Sequence, residues 1–135
     1  KIKFVNGMAA NDPVSTLQIW EHISQHYSKK EEVCVFFNSR EDRPDRTRQM
    51  IELTLKEIKP DFFFVRGDKV GQQIKNNIKF SPDTIVKILS MKLEYKILIK
   101  RIFDLPSDTL VYAIGNQVGA GQEILTHISN FRKYD

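Results

Sequence analysis

Short runs rich in apolar residues at four places along the chain predict four β-strands. The runs lie at residues 2–5, 33–37, 62–65 and 110–114. The run at residues 33–37 is uninterrupted, which is typical of a strand whose two faces are both buried. The pattern therefore indicates a central sheet that is covered on both sides.

Between these runs, apolar residues recur every three or four positions, which predicts amphipathic helices. The first stripe comprises Val14, Leu17, Trp20, Ile23 and Tyr27. The second comprises Thr47, Met50, Ile51, Thr54, Leu55 and Ile58, and Pro60 follows it. Because proline cannot continue a helix, we expect the second helix to end before Pro60.

The second half of the chain predicts three further helices. A short one lies within residues 67–77. Ser81, Pro82 and Asp83 suit a new helix start, and the spacing of the apolar residues after them predicts one helix over residues 84–102, although residues 95–102 alternate well enough for a strand. The last helix runs from Gln117 or Val118 to Phe131.

Strands that alternate with helices imply right-handed crossovers. We therefore expect one α/β domain over residues 1–135, with a Rossmann-like three-layer architecture and a mostly parallel sheet flanked by helices. In such sheets, ligands bind at the carboxyl ends of the strands. Polar stretches at residues 7–16, 38–46 and 115–121 follow three of the predicted strands, and their convergence at one edge predicts a site there.

Composition limits the alternatives. The 135 residues carry a net charge of +4, which is too mild to indicate nucleic acid but suits an anionic ligand. Cys34 is the single cysteine and lies in an apolar run, so a core position and a reducing, cytoplasmic setting are expected. No apolar run approaches the roughly 20 residues of a membrane span. Because Lys1 is not methionine and a core strand follows at once, we interpret the chain as a fragment.

Asn11, Asp12, Ser15 and Thr16 form the first candidate group, at the turn before the first helix. Asp12 suits the N-cap, and Pro13 suits the first helical position. The free N–H groups of a first helical turn and the helix dipole both favour anions. The residues alone leave two interpretations open, namely capping only or a ligand site.

The second candidate group is rich in arginine and aspartate. It comprises Arg40, Asp42, Arg43, Asp45, Arg46 and Arg48. One interpretation is a solvated helix start with local ion pairs, each of which contributes little. The other is a carboxylate-binding site, since guanidinium groups bind carboxylates bidentately and a helix N-terminus by itself favours acids rather than arginines.

The third candidate is the glycine-containing stretch at residues 115–121. It is not a dinucleotide fingerprint, because the spacing differs from G-x-G-x-x-G and the stretch follows the last strand. Its glycines suit the steric demands of a strand-to-helix turn, and Asn116 is the side chain we would test.

The remaining polar residues give weaker indications of function. His22 and His26 have a spacing that can hold zinc, but no third ligand is evident, so no metal site is predicted. Arg66, Gly67 and Asp68 are interpreted as a turn at a strand end. The chain contains no G-x-x-x-x-G-K-[ST] loop for a triphosphate, so we assign no catalytic residue and expect no turnover by these residues alone.

The stretches NGMAANDPVST, NSREDRPDRTRQM and VYAIGNQVGAG together resemble the C-terminal domain of the Mur ligase superfamily, and most closely the ligase subunit of bacterial poly-γ-glutamate synthase. The resemblance implies that Asn11 and Asp12 bind nucleotide, with Asp12 at the ATP ribose. It also implies that residues of all three candidate groups bind the acceptor, namely Ser15, Thr16, Arg40, Asp42, Arg43, Arg46 and Asn116. Gly7, Gly115 and Gly119 would form the turns that border the cleft.

The resemblance implies an ATP-dependent amide ligase that polymerises glutamate in capsule biosynthesis, through an acyl phosphate on the γ-carboxyl group. ATP and Mg²⁺ would be bound mainly by a central domain, over which this domain would close as a lid. The implied partners are glutamate or poly-γ-glutamate, upstream domains of the same chain and membrane-bound synthase subunits, so the implied location is cytoplasmic and peripheral to the membrane.

Two alternative functions remain open beside the ligase. The first is a Rossmann-like binding or assembly module whose arginine cluster docks an acidic partner without catalysis. The second is a folate-type glutamyl ligase domain, which acceptor specificity would distinguish.

Overall fold

The computed structural model describes residues 2–8, 10, 12–26, 31–40 and 42–116. Within these ranges the chain forms five strands. They are β1 (Lys3–Asn6), β2 (Val33–Asn38), β3 (Phe62–Arg66), β4 (Ile85–Leu89) and β5 (Leu110–Gly115). All four strands that the apolar runs predict are present, and β4 is the additional one.

The strands form one sheet in the order β1-β5-β2-β3-β4, and every pairing is parallel. The return of β5 to the centre of the sheet, between β1 and β2, places the ends of these three strands side by side. The structure therefore confirms the α/β class and the parallel sheet.

In the described part of the chain, four α-helices accompany the sheet. They are α1 (Pro13–Ser24), α2 (Pro44–Leu53), α3 (Gly71–Asn77) and α4 (Tyr95–Phe103). Asp12 is the N-cap of α1, as predicted, and its carboxylate accepts a hydrogen bond from the backbone N–H of Ser15 at 2.8 Å. The second helix continues beyond α2 as a π-helical segment, Thr54–Ile58, and ends at Lys59 in the left-handed conformation just before Pro60.

Two hydrophobic cores lie on opposite faces of the sheet, because alternate residues of each strand point to opposite sides. Val35 and Phe37 of β2 pack with side chains of α1, α2 and α3, whereas Cys34 and Phe36 pack with side chains of α4. The predicted apolar face of the second helix is buried at every position, from Thr47 to Ile58. Helices on both faces make the three-layer arrangement that the sequence predicts, and Cys34 is buried in the core.

The prediction of one helix over residues 84–102 is wrong for its first part. Residues 85–89 form the edge strand β4, because Thr84 Oγ1 donates a hydrogen bond to the Pro60 carbonyl and the Ile85 N–H donates one to the Asp61 carbonyl. These two hydrogen bonds place residues 84 and 85 beside the start of β3, so the following residues pair with β3. The helical spacing of the isoleucines misleads here because Ile85 and Ile88 are each 51% exposed on an edge strand rather than packed on one face. The helix begins only at Tyr95.

The predicted last helix, over residues 117–131, lies outside the described residues. Among the residues that the structure describes, no helix is both long and apolar enough to be a membrane-spanning segment.

Gly115, the last residue of β5, is the glycine whose backbone needs the absence of a side chain. Its φ is +97°, and a Cβ there would collide with the Asn38 carbonyl oxygen and the Phe37 ring. By contrast, Gly71 at the start of α3 has nothing within 4 Å of a built Cβ.

We predict that Gly115→Ala lowers the free energy of unfolding by about 1–3 kcal/mol or more, since it adds a strained backbone and a collision. Gly71→Ala is the matched control and should be neutral or stabilise the protein by up to about 1 kcal/mol. Urea unfolding curves of the two variants measure the difference. Equal stability of the two variants would contradict this account of Gly115.

Candidate functional site

The carboxyl ends of β2 and β5 and the start of α2 enclose a cavity of about 140 Å³, called the arginine cavity below. Its lining residues are Phe37, Asn38, Arg40, Arg43, Arg46, Thr47, Met50, Gly115 and Asn116. The structure thus brings three arginines of the second candidate group together with Gly115 and Asn116 of the third. Two of the three polar stretches whose convergence the sequence predicts therefore meet in this cavity, and no described residue of the stretch 7–16 lines it.

The charges around the arginine cavity are strongly positive. Arg40 and Arg43 are exposed and Arg46 is half-buried. Arg43 occupies the N-cap position of α2 but makes no side-chain cap, so the first turn of α2 presents its backbone N–H groups without a capping side chain. A helix N-terminus adds a partial positive charge to the three guanidinium groups. The arrangement therefore favours an anionic ligand.

Asp42 orients one of the three arginines. Arg40 Nε donates to Asp42 Oδ1 at 2.8 Å, and Arg40 Nη2 donates to Asp42 Oδ2 at 3.0 Å, which is a bidentate pair. The hydrogen bond from Arg40 lowers the pKa of the Asp42 carboxyl group, with smaller Coulombic contributions from Arg40 and Arg43. Arg43 makes no ion pair with a carboxylate of the described residues, in contrast to Arg40 and Arg48. Arg43 is therefore the arginine best placed to pair with an incoming carboxylate.

Asp12 is electrostatically linked to the same region. Hydrogen bonds from the backbone N–H and the side chain of Ser15 lower its pKa, and the positive charge of Arg46 lowers it further. Asp12 is thus ionised at neutral pH and lies near enough to Arg46 to interact with it. The first candidate group borders the second, although Asp12 does not line the arginine cavity.

Thr16 does not present its hydroxyl group to the arginine cavity. It is fully buried, and its Oγ1 donates to the Asp12 carbonyl at 2.8 Å and lies 3.3 Å from the Ala10 carbonyl. Its own carbonyl accepts from the Tyr112 hydroxyl at 2.8 Å, and the Tyr112 ring stacks on Trp20. These contacts fix the start of α1 against β5, so Thr16 positions Asp12. Ser15 is half-buried beside it.

Of the three glycines predicted at cleft turns, the structure describes Gly7 and Gly115, and packing explains why both are glycine. A Cβ at Gly7 would collide with the Tyr112 ring, and Gly115 is restricted as shown above. Asn11 and Gly119 lie outside the described residues. Asn116 lines the arginine cavity, and its backbone N–H donates to the Asn38 carbonyl at 2.8 Å.

Asn38 and Arg66 are the residues at this edge that sequence reasoning missed as functional positions. They are register partners at the last positions of β2 and β3. Asn38 Nδ2 donates to the Asn116 carbonyl at 2.8 Å, and Asn38 Oδ1 accepts from Arg66 Nη1 at 3.1 Å. Asn38 is 1% exposed and Arg66 is 3% exposed. A polar residue directly after a continuous apolar strand was the signal that could have identified both.

No set of metal ligands is found at the described positions. There, His, Cys, Asp and Glu side chains do not gather in groups of three or more that could hold a metal ion. The His22 and His26 rings meet edge to face, with centroids 4.9 Å apart.

Comparison with known proteins identifies the family to which this chain belongs. The family model of the poly-gamma-glutamate synthase CapB C-terminal domain matches residues 1–131. The capsule biosynthesis protein CapB of Bacillus anthracis is 31% identical over an alignment of 138 residues that covers 93% of this chain and 27% of that protein. The PGA synthase CapB of Bacillus subtilis is 29% identical over an alignment of 136 residues that covers 96% of this chain and 33% of that protein. The chain thus spans about a third or less of each relative.

We predict that Asn38→Ala lowers the free energy of unfolding by about 1–3 kcal/mol, because it leaves the buried Arg66 Nη1 without a partner. The matched control is Asn76→Ala, since Asn76 is exposed and its side chain accepts a hydrogen bond from Gln72 on the same helix. That control should change stability by less than about 0.5 kcal/mol. Equilibrium unfolding measures both, and equal losses would show that the buried network does not support this edge.

Proposed function

Because the chain belongs to the CapB C-terminal domain family of poly-gamma-glutamate synthase, we propose that it is the acceptor-binding and lid domain of an ATP-dependent ligase. This ligase joins glutamate residues through their γ-carboxyl groups. We further propose that it belongs to the Mur ligase superfamily. The observation that carries the proposal is the arginine cavity at the carboxyl edge of the parallel sheet.

The arginine cavity suits glutamate by charge and by geometry. Glutamate presents carboxylates, and a guanidinium group binds a carboxylate through two parallel N–H···O bonds. Arg43 lines the cavity without an ion pair to a described carboxylate, and Arg40 is oriented by Asp42. In the proposal, Arg43 and Arg46 bind the carboxylates of the incoming glutamate, while Asn116 contacts it from the β5 side.

The relatives that match are about three times as long as this chain. We therefore propose that the triphosphate site lies on a part of the polypeptide outside these 135 residues. ATP with Mg²⁺ would supply the phosphoryl group that activates the γ-carboxyl group at the end of the growing chain. Asp12 fits a role beside the nucleotide, because its ionised carboxylate can accept hydrogen bonds from ribose hydroxyl groups.

The domain itself would act by positioning. Binding of glutamate in the arginine cavity would hold its amine near the activated carboxyl group, and closure of the domain would exclude water from that group. Asp12 and the arginine cavity lie at one edge of the sheet, so a single movement of the domain would bring both to the reacting groups. This arrangement requires no catalytic acid or base from the described residues.

For the acceptor site, we predict that Arg43→Ala in the full-length protein lowers kcat/KM for glutamate by roughly ten- to hundredfold, the effect of losing one charge-assisted hydrogen bond to a ligand. The helix should remain intact, because the Arg43 side chain makes no cap hydrogen bond. Steady-state ligation at varied glutamate concentration, with product chain length followed by mass spectrometry, measures the change.

Arg48→Ala is the matched control, because Arg48 lies on the same helix and pairs with Asp45 and Glu52 outside the arginine cavity. This control should keep nearly all activity. Unchanged glutamate KM and kcat in Arg43→Ala would contradict the assignment of the acceptor site.

For the lid, we predict that Asp12→Ala reduces the ligation rate more than it reduces ATP affinity, because Asp12 would contact nucleotide only in the closed domain. Asp12→Ser is the control for folding, since serine preserves an N-cap acceptor but has no carboxylate. Both variants should lose ligation. Normal ligation in Asp12→Ser would show that Asp12 serves the helix alone.

A further inference from the structure

A second cavity lies at the same edge of the sheet, beyond the arginine cavity. It has a volume of about 440 Å³ and is lined by Arg66 and residues 91–96. It is called the Arg66 cavity below. Nothing in the proposed function uses it, although its lining includes three cationic side chains, namely those of Arg66, Lys92 and Lys96.

Arg66 is an unusual residue to find buried. Its Nη1 donates to Asn38 Oδ1, and its Nη2 donates to the Met91 carbonyl at 2.6 Å. Among the described residues, its buried Nε has no hydrogen-bond partner, and no carboxylate forms an ion pair with the guanidinium group. A buried cation without a counter-ion is costly, and an unpaired buried donor in a native fold requires an explanation.

The surroundings of Arg66 add further donors and positive charge. The start of α4 faces the Arg66 cavity, and its N-cap residue, Glu94, makes no side-chain cap. The nine-residue helix therefore contributes free N–H groups and the positive end of its dipole. Lys92 and Lys96 are exposed at the rim, and Glu94 is the only carboxylate in the described lining. The Tyr95 ring lies 5.5 Å from the Arg66 guanidinium carbon.

We propose that the Arg66 cavity binds a carboxylate group, and that this carboxylate belongs to a γ-linked glutamate chain. The proposal rests on the proposed function for the identity of the chain. A γ-linked polymer keeps one free α-carboxylate on every residue, so it presents carboxylates at regular intervals. Carboxylate oxygens accept hydrogen bonds from guanidinium N–H groups, and the Arg66 Nε–H has no other partner among the described residues.

The position of the Arg66 cavity supports a chain rather than a single glutamate as the ligand. Asn38 lines the arginine cavity and accepts a hydrogen bond from Arg66, which lines the Arg66 cavity. One buried side chain therefore separates the two cationic sites. A polymer that occupies both sites gains affinity because its second contact is intramolecular, whereas glutamate alone occupies only one.

The test uses the full-length protein with ¹⁵N-labelled arginine and a synthetic γ-linked glutamate tetramer. The Nε–H resonance of Arg66, assigned by its loss in Arg66→Lys, should shift saturably with the tetramer, and calorimetry should give the same Kd. Lys92→Gln/Lys96→Gln should weaken this binding by roughly three- to tenfold, as expected for two exposed cationic contacts. The matched control Lys75→Gln/Lys100→Gln, which removes two exposed lysines elsewhere, should stay within about twofold.

The outcomes separate this inference from the proposed function. If Arg43→Ala abolishes tetramer binding and the Arg66 resonance does not move when the tetramer binds, the inference is overturned. The arginine cavity then remains the acceptor site. A moved Arg66 resonance together with normal ligation in Arg43→Ala supports the inference and contradicts the proposed function. An equal shift with inorganic phosphate at the same concentration overturns the assignment to a carboxylate.

Discussion

The parallel pairing of β5 with β2, and of β2 with β3, is the constraint on which both sites depend. It places Gly115, Asn38 and Arg66 in register at the ends of three neighbouring strands, where the backbone leaves the sheet. Polar groups that are buried at this point must find partners there. Asn38 meets this need by joining the Asn116 carbonyl to the Arg66 guanidinium. These hydrogen bonds therefore join the three strand ends beside the proposed ligand site.

The direction of the strands also explains the charge at this edge. Each of the strands β1 to β4 is followed by a helix whose N-terminus points to the same side, so the helix dipoles add positive potential at one edge. Arginines at such a position would be unfavourable for the helix alone. The described acids beside the cavity are engaged, Asp42 by Arg40 and Asp45 by Arg48, so Arg43 has no ion pair with a carboxylate of the described residues. The sequence tolerates this charge density because most of it is exposed.

Most of the fold could be predicted from the sequence, because the strands buried on both faces are continuous apolar runs and the second helix has an uninterrupted buried stripe. The strand β4 could not be predicted in this way. It lies at the edge of the sheet, so Ile85 and Ile88 remain half exposed and their spacing matches a helix by chance. What decides the conformation is the pair of hydrogen bonds to Pro60 and Asp61, which are 24 residues away along the chain.

The candidate site was predictable in its charged part, since Arg40, Arg43 and Arg46 lie next to one another in sequence and follow a strand. The buried hydrogen-bond network beneath the charged residues was not predictable. Asn38 reaches partners 28 and 78 residues away, and no local pattern indicates such contacts. The contacts of Thr16 were not predictable either, because its hydroxyl group donates to the Asp12 carbonyl at the start of its own helix.

The most direct test of the central claim is a crystal structure of the full-length protein with glutamate and a non-hydrolysable ATP analogue. The account predicts electron density for glutamate in the arginine cavity, with a carboxylate within hydrogen-bonding distance of the Arg43 guanidinium group. Glutamate bound elsewhere, with the arginine cavity filled only by solvent while the analogue occupies its own site, would contradict the account.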